Sequence, residues 1–189
     1  MKRIAIALLL LSTMQLSGCL GKLFGINLTV VGEKTALEKQ VLGTYQEIGR
    51  DLASYASVRG VNEDGTLKPS PEVTDSQRAV LQALNDRQYN RDDLQTMLRA
   101  GVLGEANTGL VVILRDPAPG DEIPPKLAQE VFTEENADRA TVLGRLMQTT
   151  PGVTEKDRAQ VEWIFTTLNE DLAPAGSRVQ DQSGAWRTK

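Results

Sequence analysis

The chain has 189 residues, 24% of them charged and 40% apolar but only 4% aromatic, with no His and a single Cys. That length fits one domain, or one domain with a short appendage, and the composition excludes wholesale disorder and a multi-span membrane protein. The lack of His removes the imidazole base and the usual zinc ligand, one Cys excludes an intrachain disulfide or a Cys-cluster metal site, and a formal net charge of −4 argues against a nucleic-acid binder.

Lys2 and Arg3 form a basic start, and Ile4 to Leu11 is an unbroken apolar run. At ~1.5 Å per residue that run is well short of the ~20 apolar residues of a spanning helix, so it reads as the core of a signal peptide. Leu16-Ser17-Gly18-Cys19 follows. This stretch resembles the lipobox of bacterial lipoproteins, with Leu three before the Cys and small residues between. The resemblance implies diacylglycerol on the Cys19 sulfur, cleavage after Gly18 and acylation of the new amino terminus. Multiple acyl chains anchor stably where one exchanges, because each buried CH₂ contributes roughly 0.8 kcal/mol. Residue 20 is Leu, not the Asp of the inner-membrane retention signal, so the implied destination is the periplasmic face of the outer membrane. Cleavage also removes Lys2 and Arg3, and the more acidic body is held at an anionic membrane by lipid, not by charge.

Only Leu20 to Gly25 separate Cys19 from Ile26-Asn27-Leu28-Thr29-Val30-Val31, an alternating, β-branched stretch that predicts a strand close to the membrane. Thr35-Ala36-Leu37-Glu38 is a capping-box pattern. The helix it opens carries Leu37, Val41, Tyr45, Ile48, Leu52 and Tyr55 on one stripe, with Gly43 and Gly49 expected where another helix approaches closely. Gly60 to Pro71 is punctuation, with a turn at Asp64-Gly65. Thr74 caps a second helix containing Val80, Leu81, Ala83 and Leu84, and Asn90 caps its continuation through Leu94, Met97 and Leu98 to a stop at Gly101. Leu110 to Leu114 predicts a buried strand. A third helix runs from Pro125 to Met147, facing Leu127, Val131, Phe132, Leu143, Leu146 and Met147 inward around a polar middle turn. Thr154 caps the last helix, with Val161, Ile164, Phe165, Leu168 and Leu172 on its stripe, and Arg178-Val179-Gln180 with Ala185-Trp186-Arg187 predict a small hairpin. The predicted fold is mainly α: about four helices and a few short β segments.

Four pieces in order resemble the YdbL-like family of bacterial envelope proteins. They are Gly101-Val102-Leu103-Gly104-Glu105 continuing to Asn107, Gly109 and Leu110; Glu135-Asn136-Ala137-Asp138-Arg139; a helix after the Thr154 cap; and Ala175-Gly176-Ser177-Arg178-Val179-Gln180 followed by Ser183-Gly184-Ala185-Trp186 and a basic end. Together they cover Leu94 to Lys189, and Ile26 to Ala53 is similar to the extension of lipoprotein members. The resemblance implies a small, mainly helical periplasmic or lipidated protein with no known enzymatic activity, and no metal or cofactor is expected. It also implies an accessory or chaperone-like role beside an AsmA-like bridge protein or a small lipoprotein. The lipobox and added helix depart from the short soluble members and put free diffusion in doubt. The implied organisation is a signal peptide over 1–18, a lipid-anchored strand and helix over 19–73, and the YdbL-like helical domain over 74–189.

The glycine-rich loop from Gly101 to Gly109 lacks the Gly-Lys-Ser/Thr ending of a P-loop, and Glu105 repels phosphate. It reads as a tight connection with positive-φ glycines, or alternatively as a partner contact. Glu135 and Arg139, four apart in the favoured order, form a clamp for that loop or for the tail, or else recognise a ligand; Asn136 donates and accepts alongside them. Glu134/Glu135, Asp92/Asp93 and Asp64 invite a glycosidase reading, but adjacent helical residues point ~100° apart, so solvated surface is the plainer account. Trp163 and Trp186 are partner anchors or half-buried packing. The expectation is therefore a non-enzymatic envelope interaction factor, with a carboxylate-using hydrolase or a small lipid carrier as alternatives.

Overall fold

The computed structural model describes residues 35–56, 62–66 and 73–189, with the backbone alone for 52–56. The signal segment, Cys19, the predicted strand at Ile26–Val31, Pro69, Pro71 and the side chains of Leu52 and Tyr55 lie outside the described residues. Those described form five helices and a four-stranded sheet, so the chain is mainly helical.

Helix α1 spans Ala36–Ala56. Its predicted capping box is made: Glu38 N–H donates to Thr35 Oγ1 at 3.1 Å, and Thr35 N–H donates to Glu38 Oε2 at 3.3 Å. Helix α2, Asp75–Tyr89, opens on the same device between Thr74 and Gln77. Helix α3, Arg91–Ala100, is separate from α2, which makes five helices where the sequence predicts about four. Hydrogen bonding does pass through the junction, since Asn90 N–H reaches Asp86 O and Leu94 N–H reaches Asn90 O. The Asn90 backbone has nonetheless relaxed to φ −81°, ψ −1°. Its side chain makes no cap and instead donates to Glu134 Oε2 at 2.9 Å.

Gly101 stops α3 in the left-handed region at φ 70°, where its own N–H and that of Val102 turn back to Leu98 and Met97 carbonyls. The next residues are not merely a tight connection: Leu103–Glu105 is strand β1. It pairs antiparallel with β2, Val111–Ile113, and parallel with β3, Arg178–Gln180, which pairs in turn with β4, Trp186–Thr188. The order is β2-β1-β3-β4. The predicted buried strand at Leu110–Leu114 is buried in full only at Val111, with Ile113 41% and Leu114 37% exposed, because β2 is an edge strand.

Helix α4 spans Pro125–Thr149, and α5 spans Arg158–Leu172 behind a 3₁₀ turn at Glu155–Asp157 that Thr154 caps. At 25 residues, α4 reaches about 37 Å. It joins two apolar clusters. One gathers Val41 and Ile48 of α1, Val80 and Ala83 of α2, the Val142–Met147 end of α4, and Val161, Ile164 and Phe165 of α5. The other gathers Leu94, Met97 and Leu98 of α3, Val102, Leu103 and Val111 around the sheet, and Ala128 and Val131 of α4. Leu127 and Phe132 pack against this second cluster only partly buried. Leu172, predicted to face inward, is 64% exposed, because it is the last residue of α5 and lies past the core.

Gly43 and Gly49 do not mark a helix crossing: among the described residues a Cβ at either meets nothing within 4 Å. Gly109 is the opposite case. Its φ is +82°, and a Cβ there lies 2.9 Å from Phe165 Cδ1 in the core. We therefore expect Gly43→Ala to stabilise by about 1 kcal/mol through helix propensity. Gly109→Ala is expected to destabilise by roughly 2–3 kcal/mol through overpacking and strain. Urea unfolding of the two variants checks both signs.

Candidate functional site

Between the two clusters, in the polar middle turn of α4, Glu135 and Arg139 are each only 1% exposed. A buried charge is tolerated only when paired and hydrogen-bonded, and the chain supplies partners from four elements. Arg139 Nη1 and Nη2 grip both oxygens of Glu105 from β1, at 2.5 and 3.0 Å, while its Nε donates to Glu135 Oε1 at 2.5 Å. Nη1 also donates to Gly109 O at 3.1 Å, so the hairpin turn is held as well. From α2, Arg87 Nε reaches the same Glu135 oxygen at 3.1 Å, and its Nη2 donates to Asn169 Oδ1 of α5 at 2.7 Å. Two guanidinium groups and two carboxylates thus neutralise each other. Burial works against the Arg139 charge, but Glu105 first and Glu135 second outweigh it, and its pKa is raised.

Asn136, one residue on, serves the sheet. Ladder bonds at Ala106–Leu110 and Leu114–Val102 leave the Val111 amide and carbonyl facing away from β1. The Asn136 side chain takes both, accepting from Val111 N–H at 2.9 Å and donating to Val111 O at 3.0 Å. It stands where the next strand would pair.

Gly104, Asn107, Gly184 and Trp186 meet at the joint of the two hairpins. A Cβ on Gly104 would lie 2.8 Å from both Leu114 Cδ1 and Trp186 Cζ3, so only glycine lets these side chains close over β1. Asn107 N–H donates to Gln180 Oε1 at 3.1 Å, and Gln180 Nε2 donates to Gly184 O at 3.1 Å. Trp186 and Trp163 are half-buried. The tail is fixed to α5 by Lys189, whose Nζ donates to the carbonyls of Glu170, Asp171 and Ala173.

The residues quoted from the sequence therefore fall into two groups, with Gly101 apart at the end of α3 and Asn136 apart on the open edge of β2. Glu105, Gly109, Glu135 and Arg139 share the buried network, while Gly104, Asn107, Gly184 and Trp186 share the hairpin joint. Sequence reasoning missed Arg87, Asn169 and Lys189. No spacing marks them, because their partners lie 48, 82 and up to 19 residues away. The tandem Glu134 and Glu135 diverge as helix geometry requires: Glu135 is buried and Glu134 exposed.

Two recesses flank the network. One, of about 110 Å³, is lined by Leu94, Leu98, Leu172 and Ala173, by Arg87, Arg91 and Arg139, and by both network carboxylates. Glu135 Oε2 is buried and has no partner among the described residues. The other recess, about 370 Å³, is bordered by Asp86, Tyr89, Glu134 and Asp138. There Asp138 has its pKa pushed up to about 6, by burial first and then by Asp86 and Glu135. Among the described residues no helix is long and apolar enough to cross a membrane, and no cluster of three or more acidic, Cys or His side chains is placed to hold a metal ion. No protein-family model, curated protein or solved structure matches the chain.

Arg139→Met strands the buried Glu105 and leaves Glu135 with Arg87 alone, and its expected cost is 3–5 kcal/mol, roughly the cost of breaking a buried pair. Urea unfolding measures it. Asp138 acts oppositely. Its folded pKa of about 6 lies above the ordinary 3.8, so the folded state holds the proton more tightly and stability falls as pH rises between those values. Asp138→Asn is therefore expected to raise the melting temperature at pH 7 and to leave it unchanged near pH 3.

Proposed function

We propose that this chain is a non-enzymatic lipoprotein, anchored through Cys19 at the periplasmic face of the outer membrane, that acts by contacting other envelope proteins. The observation that carries the reading is Leu16-Ser17-Gly18-Cys19 directly behind a short apolar run. Its resemblance to the YdbL-like family extends the reading to an accessory role beside an AsmA-like bridge protein or a small lipoprotein. The use of the acids supports it further. Glu105 and Glu135, the buried carboxylates, are engaged by Arg139 and Arg87, so neither is presented as a base or nucleophile. The recess of about 110 Å³ has room for a single side chain and the one of about 370 Å³ is bordered by Asp86, Glu134 and Asp138, whereas a carrier for an acyl chain needs an apolar pocket of some hundreds of Å³.

Two measurements test the proposal. Growth with labelled palmitate is expected to label the native chain and not Cys19→Ala; an unlabelled native chain refutes the anchor. Photo-crosslinking in living cells from Thr29, Asn107 and Trp186 is expected to give adducts to one envelope protein. Adducts to lipid alone would favour the carrier instead.

A further inference from the structure

The two edges of the sheet are finished differently. On β2 the outward amide and carbonyl of Val111 are taken by the Asn136 side chain, so a strand cannot pair at that residue. The other edge, β4, has no such cover. Its ladder with β3 runs through Ala185, Arg187 and Lys189, since Asp181 N–H donates to Ala185 O and Lys189 N–H donates to Ser177 O. Antiparallel alternation therefore turns the amides and carbonyls of Trp186 and Thr188 outward. β4 is the last strand of the sheet, and Ala185, Arg187, Thr188 and Lys189 are exposed. An open edge of this kind is a template for a further strand.

Charge selects the strand. β3, β4 and the residue that follows carry three cations, Arg178, Arg187 and Lys189, and no acid, in a chain whose formal net charge is −4. Arg187 stands on the helix side of the sheet, across from buried Val179, and donates to Glu170 at 2.6 Å. Lys189 donates to α5 carbonyls, and Arg178, on the outer side, reaches the Thr188 hydroxyl at 3.4 Å. Among the described residues only Glu170 forms an ion pair with any of the three. A second copy of this chain fits poorly. Pairing β4 with itself so that Trp186 meets Thr188 centres on Arg187 and sets two like charges directly opposite. A bare anionic surface answers the charge but leaves the outward N–H and C=O groups unused. An extended acidic segment answers both.

We propose that the β4 edge binds an extended segment of a partner polypeptide in which acidic residues alternate with apolar ones. Its backbone exchanges hydrogen bonds with Trp186 and Thr188. Its apolar side chains lie beside Trp186 on the outer face, and its acidic ones lie on the helix side, beside Arg187 and Lys189. The inference deepens the reading of this chain as an interaction factor and rests on it, but does not depend on lipidation.

The test uses the whole chain with Cys19→Ala, so that no acyl chain enters the sample. The probe is the peptide acetyl-Glu-Val-Glu-Val-Glu-amide, titrated while the backbone amides of Trp186, Arg187 and Thr188 are followed by NMR. It is expected to shift those amides saturably, with a dissociation constant below about 10 mM. The same peptide N-methylated at both valines, which keeps the charge but loses the donors that face β4, is expected to bind at least ~10-fold more weakly. The counterpart with Lys in place of Glu is also expected to bind at least ~10-fold more weakly. Thr188→Pro removes one outward N–H without breaking a ladder bond, so it is expected to weaken the acidic peptide at least ~5-fold with an unchanged melting temperature. Should that variant fail to fold, the N-methylated peptide makes the same test on the unaltered edge. Absence of a saturable shift overturns the proposal. Equal binding of the N-methylated peptide reassigns the edge to a bare anionic surface, equal binding of the Lys peptide removes the acidic partner, and dimerisation of the chain through β4 reassigns it to a second copy; each of these overturns the proposal too. Palmitate labelling and crosslinks from Thr29 and Asn107 are untouched by these results, so the two proposals fail separately.

Discussion

Everything in this fold is arranged around the need to keep Arg139 charged and dry. A guanidinium cannot shed its proton to escape burial, so its surroundings must supply the counter-charge and the hydrogen-bond acceptors. Glu105 meets it with two oxygens, Glu135 reaches back one helical turn, and the carbonyl of Gly109 completes the set. Each partner belongs to a different piece of chain, so satisfying one side chain fixes a helix, a strand and a hairpin turn at once. The apolar clusters on either side provide most of the burial but are tolerant of sliding. The ionic layer between them is not.

The glycines follow from the same requirement. Gly109 needs its positive φ to aim its carbonyl at Arg139, and it needs a bare Cα because Phe165 lies against it. Gly104 lets Leu114 and Trp186 close over β1, next to Glu105. Polar geometry and close approach thus occur at adjacent residues. The motif reads as a glycine-rich loop, but its glycines serve a buried carboxylate rather than a bound phosphate.

The sequence made the helices legible because they are local. Thr35, Thr74 and Thr154 each announce a start, and the apolar stripes of α1 from Leu37 to Ile48, of α4 and of most of α5 face the core as their spacing requires. The i,i+4 pair Glu135–Arg139 was visible for the same reason. What could not be read was set by distance along the chain. Nothing near Glu105 says that it faces a guanidinium rather than water, and the strand it lies in has only three residues. Arg87 and Asn169 look like ordinary helix-surface residues until α2 and α5 are placed beside α4. Asn90 stands at the N-cap of α3 as its residue type suggests, but its side chain makes no cap because Glu134 claims it. Gly43 and Gly49 mark no crossing, because a glycine can be merely tolerated in a helix, at a cost of about 1 kcal/mol, as well as required there.

The parallel pairing of β1 with β3 also carries a kinetic meaning. Glu105 is aligned with Val179, so the centre of the sheet joins residues more than seventy positions apart, with α4 and α5 lying between them in sequence. Contacts of that span close late, since the loop entropy must be met before the pairing returns anything. A chain emerging N-terminus first has α1 to α4 available, and the Arg139–Glu105 layer with them, while the last two strands are still missing. During that interval one side of β1 presents unpaired amide and carbonyl groups. Strands β3 and β4 therefore act as a closing step of folding: until they arrive, the nascent protein exposes one side of β1, and once β3 docks that side is paired.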